Sequence, residues 1–351
     1  MALKPCGVFN YRYSQDMAVI RTRPQWITFV LFLIFLGVFP FLVSGYLLGI
    51  AVSICIYVVA AMGLNLLTGY CGQISMAHSA FMAIGAFTTG ILTVKLGLSH
   101  WVALPCSGIV AGLIGIIFGV PSVKVKGLYL ALVTIGAQFL IMYTILHWNS
   151  LTEGVTGMAI EPPQIGPLSF AGTTSFYYLA VGVAAIATYL TRNIIRTKVG
   201  RAFIAIRDND VAAEVMGVNI FGYKVLAFFI GCFFAGVAGW LWGMYIGVAS
   251  VDHYNLWESV WFLAMVVIGG MGSTLGVILG VIFVEALKEI TVLLGPIVGD
   301  AFPSVRSSVG TALPLLVLGF VVMIFLIYEP RGLAHRWEII KRAYRLWPYS
   351  R

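Results

Sequence analysis

The sequence has few charged residues. Asp, Glu, Lys and Arg together make up 10% of its 351 residues, whereas hydrophobic residues make up 60%. Soluble globular domains carry about 25% charged residues. This shortage excludes an ordinary soluble protein, so we predict a polytopic membrane protein.

The motifs of several function classes are also missing. The five cysteines are odd in number and lack CxxC spacing, which excludes a disulfide framework and a zinc site of that kind. No GxxxxGK(S/T) phosphate loop is present, so any ATPase must be another subunit. No nucleophile stands with a base, and His78 has no second metal ligand at helical spacing, which disfavours a membrane enzyme. The cysteines are predicted to be packing residues: Cys6, Cys55, Cys71, Cys106 and Cys232.

Long apolar runs are what the sequence has in abundance. A helix needs about 20 apolar residues to cross a bilayer, and these runs predict about ten transmembrane helices in an all-α fold. The predicted transmembrane domain covers residues 26–328. Its predicted spans are 26–44, 46–67, 74–94, 101–120, 127–147, 176–191, 223–246, 257–268, 275–294 and 309–328.

Basic residues are distributed unevenly between the connecting segments. They concentrate in an N-terminal arm (1–25), a central loop (192–222) and a tail (329–351), whereas the connection 149–175 has no Lys or Arg. The positive-inside rule therefore predicts that both termini and the central loop are cytoplasmic and that 149–175 is external. Anchoring to membrane lipid accounts for the net charge of +8, so nucleic-acid binding is not predicted. Two lysines predict a further cytoplasmic turn: Lys124 and Lys126.

The central loop has the pattern of a short amphipathic helix. Asn209 or Asp210 provides an N-terminal cap, and Gly217 provides a natural C-terminus. Between them, Ala212 and Ala213 are small enough to leave room for a groove on a partner. The pattern therefore predicts a docking helix.

Two glycine-rich breaks interrupt the apolar sequence: GYCGQ at 69–73 and GGMGS at 269–273. Glycine occupies the first and fourth positions of both. Glycine-interrupted spans in two halves of a chain are typical of transporters with internal repeats around a central substrate site, so we predict two pseudo-repeated halves. The alternative is close helix packing, for which glycine motifs are also used.

Polar side chains accompany the first break within otherwise apolar sequence. Such groups are tolerated at membrane depth only against protein or a water-filled cavity, so two roles remain open: hydrogen bonding between helices, or lining a permeation path. After the seventh span, Asp252, His253 and Glu258 are predicted to be solvated boundary residues. The candidate path residues are Asn65, Gly69, Gly72, Gln73, Ser75, His78, Gly269, Gly270, Gly272 and Ser273.

The central loop resembles a known family. RDNDVAAEVMGVN (207–219), with Gly200 and Arg201 upstream, is similar to the loop by which bacterial ABC-importer permeases couple to an ATPase. The general importer signature is Glu-Ala-Ala, three further residues and Gly. Here Val211 replaces the Glu, whereas the alanines and Gly217 match.

A narrower resemblance covers most of the chain. GLNLLTGYCGQISMAHSAFMAIGAF (63–87), VIGGMGSTLGVILG (267–280) and EPRGLAHRW (329–337) resemble the LivM-type permeases of branched-chain amino acid ABC transporters. The resemblance implies an importer of branched-chain or other neutral amino acids in the bacterial inner membrane. It further implies a paralogous permease, two ATPase subunits that hold the ATP, and a periplasmic binding protein that meets the loop 149–175. No cofactor is implied for this chain.

The resemblance also implies which residues couple to the ATPase: Gly200, Arg201, Arg207, Asp208, Asn209, Ala212, Ala213 and Gly217. Two alternatives stay open. One is import of urea or another small polar solute. The other is an ion-coupled secondary transporter, which would favour intramembrane carboxylates. Only Glu285 and Glu289 offer these, and their spacing with Lys288 predicts a salt-bridge cluster instead.

Overall fold

The computed structural model describes residues 23–121, 125, 127–165, 168–301 and 306–346. The predicted arm up to residue 22, Lys124, Lys126 and the tail from 347 lie outside the described residues. The chain divides into two compact units, one ending at Leu48 and the other starting at Gly49. The helices are α1 (Arg23–Leu42), α2 (Gly45–Leu64), α3 (His78–Gly90), α4 (His100–Gly119), α5 (Leu128–His147), α6 (Asn149–Thr152), α7 (Thr173–Arg196), α8 (Lys198–Asp208), α9 (Asp210–Val215), α10 (Ile220–Ile246), α11 (Leu256–Gly269), α12 (Thr274–Ala301), α13 (Arg306–Tyr328) and α14 (Gly332–Leu346).

Several of these helices are suited to a bilayer. Within the described residues, five are long and apolar enough to cross it: 45–70, 100–119, 128–147, 173–196 and 220–246. A bent pair, 312–328 and 332–341, meets at 49° and is a sixth candidate. The other predicted spans are also helical, but α3 and α11 have only 13 and 14 residues, and α12 carries four charged side chains. The chain is therefore an all-α polytopic membrane protein, and the described residues give five spans, or six with the bent pair, without confirming the predicted ten.

The core is built around α10, which packs on α3 and α4. Four glycines of α4 lie one or two turns apart and leave room for large side chains of α10, including Phe228, Phe229 and Phe233. On α3, Gly85 meets the backbone of Gly236. Small residues at such positions let helix backbones approach closely, which is how helices associate where water is absent. The α4 glycines are Gly108, Gly112, Gly115 and Gly119.

The two loops of opposite charge character lie at opposite ends of α10, a helix of 27 residues and about 40 Å. At its C-terminal end, strand β4 (Val248–Ala249) pairs antiparallel with β1 (Met158–Ala159) from the loop 149–175. A small hairpin in the same loop pairs β2 (Gln164–Ile165) with β3 (Leu168–Ser169). At the N-terminal end, Lys224 Nζ lies 4.0 Å from Asp210 Oδ2 in the central loop. This separation agrees with opposite sides of a membrane for the two loops.

Two stretches of the chain have the same order of elements, and we call them repeat 1 and repeat 2. In repeat 1 (49–90), a long helix ends in a π-helical turn at Asn65–Tyr70, and a non-helical segment (71–77) leads to the short helix α3. In repeat 2 (220–269), long α10 is followed by a segment of strand and turn (247–255) and by short α11. The two long helices end at opposite ends of the molecule, so they run in opposite directions. The predicted correspondence of 69–73 with 269–273 stays a prediction.

The third predicted span starts later than expected, at His78 instead of Ile74. Residues 71–77 are not helical, and other groups satisfy part of their backbone: Met76 N–H donates to Thr134 Oγ1 at 2.9 Å, and Gln73 N–H donates to the carbonyl of Leu67 at 3.0 Å. Irregular backbone inside a membrane protein requires such partners.

Candidate functional site

The two glycine-rich breaks, far apart in the sequence, contact each other. Asn65 Oδ1 accepts a hydrogen bond of 2.9 Å from Gly272 N–H, and Asn65 Nδ2 lies 3.5 Å from the carbonyl of Ser273. Gly69 leaves no space for a Cβ, because Asn65 Oδ1 and Gly272 N occupy that position. Asn65 therefore hydrogen-bonds the turn between α11 and α12, and its role in lining a path stays a prediction.

Arg207 connects the central loop to this junction. Its Nη1 donates a hydrogen bond of 3.0 Å to the carbonyl of Gly69, and Gly272 lies against the same guanidinium edge. Asp208 holds the guanidinium from the other side, with Oδ1 at 3.0 Å from Nε and 2.9 Å from Nη2. Gly72 packs on the aliphatic part of the Arg207 side chain. A movement of α8 would therefore act directly on the first break.

The C-terminal helix α14 covers the second break. A Cβ on Gly270 would meet the carbonyl of Arg331, and Ala334 lies against both Gly270 and Gly276. The preceding Glu329 pairs with Arg336 on α14. Gly269 packs backbone to backbone on α12 at Gly276. The segment that resembles the importer family at 329–337 is thus the cover of the second break.

The short helix α9 has the predicted capping. Asn209 Oδ1 accepts a hydrogen bond of 3.1 Å from Ala212 N–H, and Gly217 adopts φ +83°, a conformation that side chains with a Cβ avoid. The predicted docking face is wrong in part, because Ala213 is only 4% exposed and packs inside the chain. The outward face carries Val215 and Met216, exposed by 82% and 83%. On this six-residue helix, Ala213 is the buried residue that faces the rest of the chain.

The remaining coupling candidates lie on α8. Gly200 sits tightly against the backbone of Ile195, so its role in the structure is the turn from α7 into α8. Arg201 is exposed and donates a hydrogen bond of 3.4 Å to the carbonyl of Arg196 within the same loop. Arg201 therefore makes no contact with the breaks among the described residues.

The other predicted path residues divide into two groups. His78 is buried, with Nε2 2.7 Å from the carbonyl of Ala60 and its ring against Phe262, so it is a packed residue. Gln73 and Ser75 are buried, and within the described residues Gln73 Oε1 and Ser75 Oγ have no hydrogen-bond partner. Gln73 lines a cavity of about 300 Å³ that also reaches Arg207. Gln73 therefore remains a candidate for the path at the central-loop end.

A second cavity, of about 140 Å³, lies where the two repeats meet, and we call it the inter-repeat cavity. Repeat 1 contributes Tyr57, Ser79 and Met82 to its lining, and repeat 2 contributes Trp242, Glu258 and Phe262. The non-helical segment of repeat 2 forms a further side through residues 252–255. Burial raises the pKa of the Tyr254 hydroxyl in this segment, so that hydroxyl stays protonated.

A buried hydrogen-bond network joins the two repeats beside this cavity. Ser79 Oγ lies 2.8 Å from Ser259 Oγ and donates to the carbonyl of Asn255 at 2.8 Å. Gln138 of α5 donates to the carbonyl of Tyr254 at 2.8 Å and accepts from Ala80 N–H at 3.1 Å. The short helices α3 and α11 therefore start side by side, with Ser79 and Ser259 in their first turns.

The sequence prediction missed the inter-repeat cavity. Asp252 and Glu258 were predicted to be solvated boundary residues; Asp252 is exposed and Glu258 is half-buried, and both line the cavity. The available signal was a set of isolated polar residues in apolar sequence, including Gln138 and Ser259. Their convergence required the repeat geometry. The predicted Glu285–Lys288 pair is present at 3.0 Å, and Lys288 lies over the Tyr57 ring at 4.9 Å.

Comparison with known proteins gives consistent matches. The family profile described as "Branched-chain amino acid transport system / permease component" matches residues 46–326. The high-affinity branched-chain amino acid transport system permease protein LivM of Escherichia coli is 29% identical over 336 residues, covering 89% of this chain and 75% of that protein. A probable LivM of Methanocaldococcus jannaschii is 21% identical over 329 residues, covering 81% and 92%.

Another relative is named for a different substrate. The autoinducer 2 import system permease protein LsrC of Escherichia coli is 25% identical over 252 residues, covering 68% of this chain and 69% of that protein. No solved structure gave a significant match. The profile spans both repeats, both glycine-rich breaks and the central loop between them, and on that basis the chain belongs to the family of branched-chain amino acid transport permeases.

Proposed function

We propose that this chain is a permease subunit of an ATP-driven importer that takes branched-chain amino acids from a periplasmic binding protein across the bacterial inner membrane. The chain works with a paralogous permease and with two ATPase subunits, which bind and hydrolyse the ATP. The observation that carries this proposal is the Arg207 contact with Gly69, because it joins the family's coupling loop to the junction of the two breaks.

This contact suggests how a movement of the ATPase subunits would reach the first break. ATP-driven closure of the ATPase subunits would push on α9, and α8 would pass the displacement to the break through Arg207. The hydrogen bonds of Asn65 would carry it on to Gly272. A pathway of this kind needs a physical element that both sites move, and we propose that the paired breaks are this element.

A substrate experiment tests the proposal. We expect cells that express the complete system to take up radiolabelled leucine, isoleucine and valine, with each amino acid competing for the others. Urea and autoinducer 2 are the competitors that test the alternatives. Uptake of either in preference to leucine would overturn the amino-acid assignment, and uptake of none of these solutes would overturn the importer assignment for this class.

The proposed topology places both termini and the central loop in the cytoplasm. In a chain whose five cysteines are replaced by alanine, we expect a membrane-impermeant maleimide to label a cysteine at position 155 in intact cells, but not one at position 214. Val155 is 79% exposed in the external loop, and Glu214 is exposed on α9, so both sites are reachable from their own side. Labelling at 214 before permeabilisation, or at 155 only after it, would reverse the orientation.

A further inference from the structure

The inter-repeat cavity combines features that match an amino acid. Its lining includes four large, mainly apolar side chains, two carboxylates and one imidazole: Tyr57, Met82, Trp242 and Phe262, then Asp252 and Glu258, and His253. At about 140 Å³ it is smaller than the roughly 300 Å³ at which drug-sized pockets begin, so it suits a small solute. The aliphatic side chain of a substrate would pack against the apolar lining residues.

The acidic groups lack partners of their own. Within the described part of the chain, neither Asp252 nor Glu258 forms an ion pair. Glu258 is the more enclosed of the two, since Asp252 is exposed. A carboxylate in a partly desolvated site binds a cation more strongly than one in water, because the local dielectric is lower.

Tyr254 gives an independent indication that the cavity binds a polar ligand. Its side chain is 1% exposed, and its hydroxyl has no hydrogen-bond partner among the described residues. Buried hydroxyls are nearly always paired, so one without a partner beside a cavity requires an explanation. A ligand with a hydrogen-bonding group supplies one.

Two helix N-termini also start at the cavity. α3 and α11, of 13 and 14 residues, place Ser79 and Glu258 of their first turns in its lining. The N–H groups of Ser79, Ala80 and Glu258 are hydrogen-bonded within the chain, so these N-termini favour an anion through the partial positive charge of the helix dipole alone. Discontinuous helices of inverted repeats bind the anionic group of a substrate in this way in other transporters.

We infer that the inter-repeat cavity is a substrate site for an α-amino acid, in which Glu258, assisted by Asp252, binds the ammonium group. The carboxylate lies towards the paired N-termini of α3 and α11, and the aliphatic side chain packs among Tyr57, Met82, Trp242 and Phe262. This inference rests on the proposed function, because the solute is an amino acid only if the importer carries one.

Equilibrium binding of radiolabelled leucine to the purified complete complex, without the binding protein, tests the inference. We expect Glu258→Gln to weaken leucine binding at least about tenfold, since a charge-assisted hydrogen bond is lost. Competition by isoamylamine, which lacks the carboxylate, should weaken in parallel. Competition by 4-methylpentanoate, which lacks the ammonium group, should not change. Tyr254→Phe should also weaken leucine binding without altering complex yield.

The matched control is Glu161→Gln, which removes an exposed carboxylate from the external loop. If Glu258→Gln binds leucine within twofold of the unaltered complex, or if the control loses as much, the inference is wrong. Absence of leucine binding by a complex that transports leucine would also overturn it and leave the proposed function standing. A complex that transports no branched-chain amino acid contradicts the proposed function instead.

Discussion

Arg207→Ala is expected to abolish most ATP-driven uptake while the permease stays inserted and bound to its ATPase. The substitution removes the guanidinium that donates to the Gly69 carbonyl at 3.0 Å. A hydrogen bond to a charged group contributes about 1.5–3 kcal/mol, so the link between α8 and the break should weaken by about 10- to 150-fold. Leucine uptake should fall by a similar factor. ATP hydrolysis should continue, because the substitution interrupts the transmission of movement from the ATPase to the break and leaves the ATPase itself unchanged.

Two further variants separate loss of the Arg207–Gly69 hydrogen bond from loss of positive charge on α8. Arg207→Lys keeps the positive charge but loses the planar fork that reaches Asp208 and Gly69 together, so it should rescue little. Arg201→Ala removes an exposed arginine of the same helix that has no contact with the breaks in the described structure. Normal uptake by Arg207→Ala, or an equal loss in Arg201→Ala, would show that the Gly69 contact has no role in coupling.

Val215→Asp combined with Met216→Asp should detach the ATPase. Both side chains are more than 80% exposed, so the variant should leave folding and membrane insertion unchanged, as surface substitutions usually do. At a docked interface, however, the two carboxylates would be buried without partners. We expect co-purification of the ATPase to fall by at least about 30-fold, which corresponds to about 2 kcal/mol or more for an interface anchor. Uptake should be lost with it.

The control for this variant is Val155→Asp, which places a carboxylate on an equally exposed valine of the loop at the other end of the molecule. It should retain the ATPase in full. Ala213→Trp is a poor test of docking, because Ala213 is buried and a larger side chain would disrupt the chain itself. Full retention of the ATPase by the Val215 and Met216 variant would remove α9 as the docking helix.

Local features were predictable from the sequence because they depend on neighbours in the chain. Asn209 and Gly217 lie at the ends of a short helix, and capping is set by residues three to eight positions apart. The family was also predictable, since its motifs are contiguous, and the profile match over 46–326 confirms it. The inward direction of Ala213 was not predictable, because it depends on which side of α9 meets the rest of the protein.

The long-range geometry could not be derived from the sequence. Matching glycine positions predicted that 69–73 and 269–273 correspond in two halves, whereas the structure shows that these two segments contact each other. A glycine can mark a close approach of two backbones as well as an internal repeat. Here Gly69 lies so close to Gly272 that a Cβ would not fit. The inter-repeat cavity depends on the same geometry, since Ser79 and Ser259 are 180 residues apart.

Leucine accumulation in proteoliposomes tests the central claim most directly. The vesicles would contain this permease, its paralogous partner and the two ATPase subunits, with leucine-loaded binding protein outside. We predict accumulation against a gradient when ATP is present at the ATPase side, and none when only a proton or sodium gradient is imposed. Accumulation driven by an ion gradient without ATP, or failure to accumulate leucine with ATP, would contradict the account.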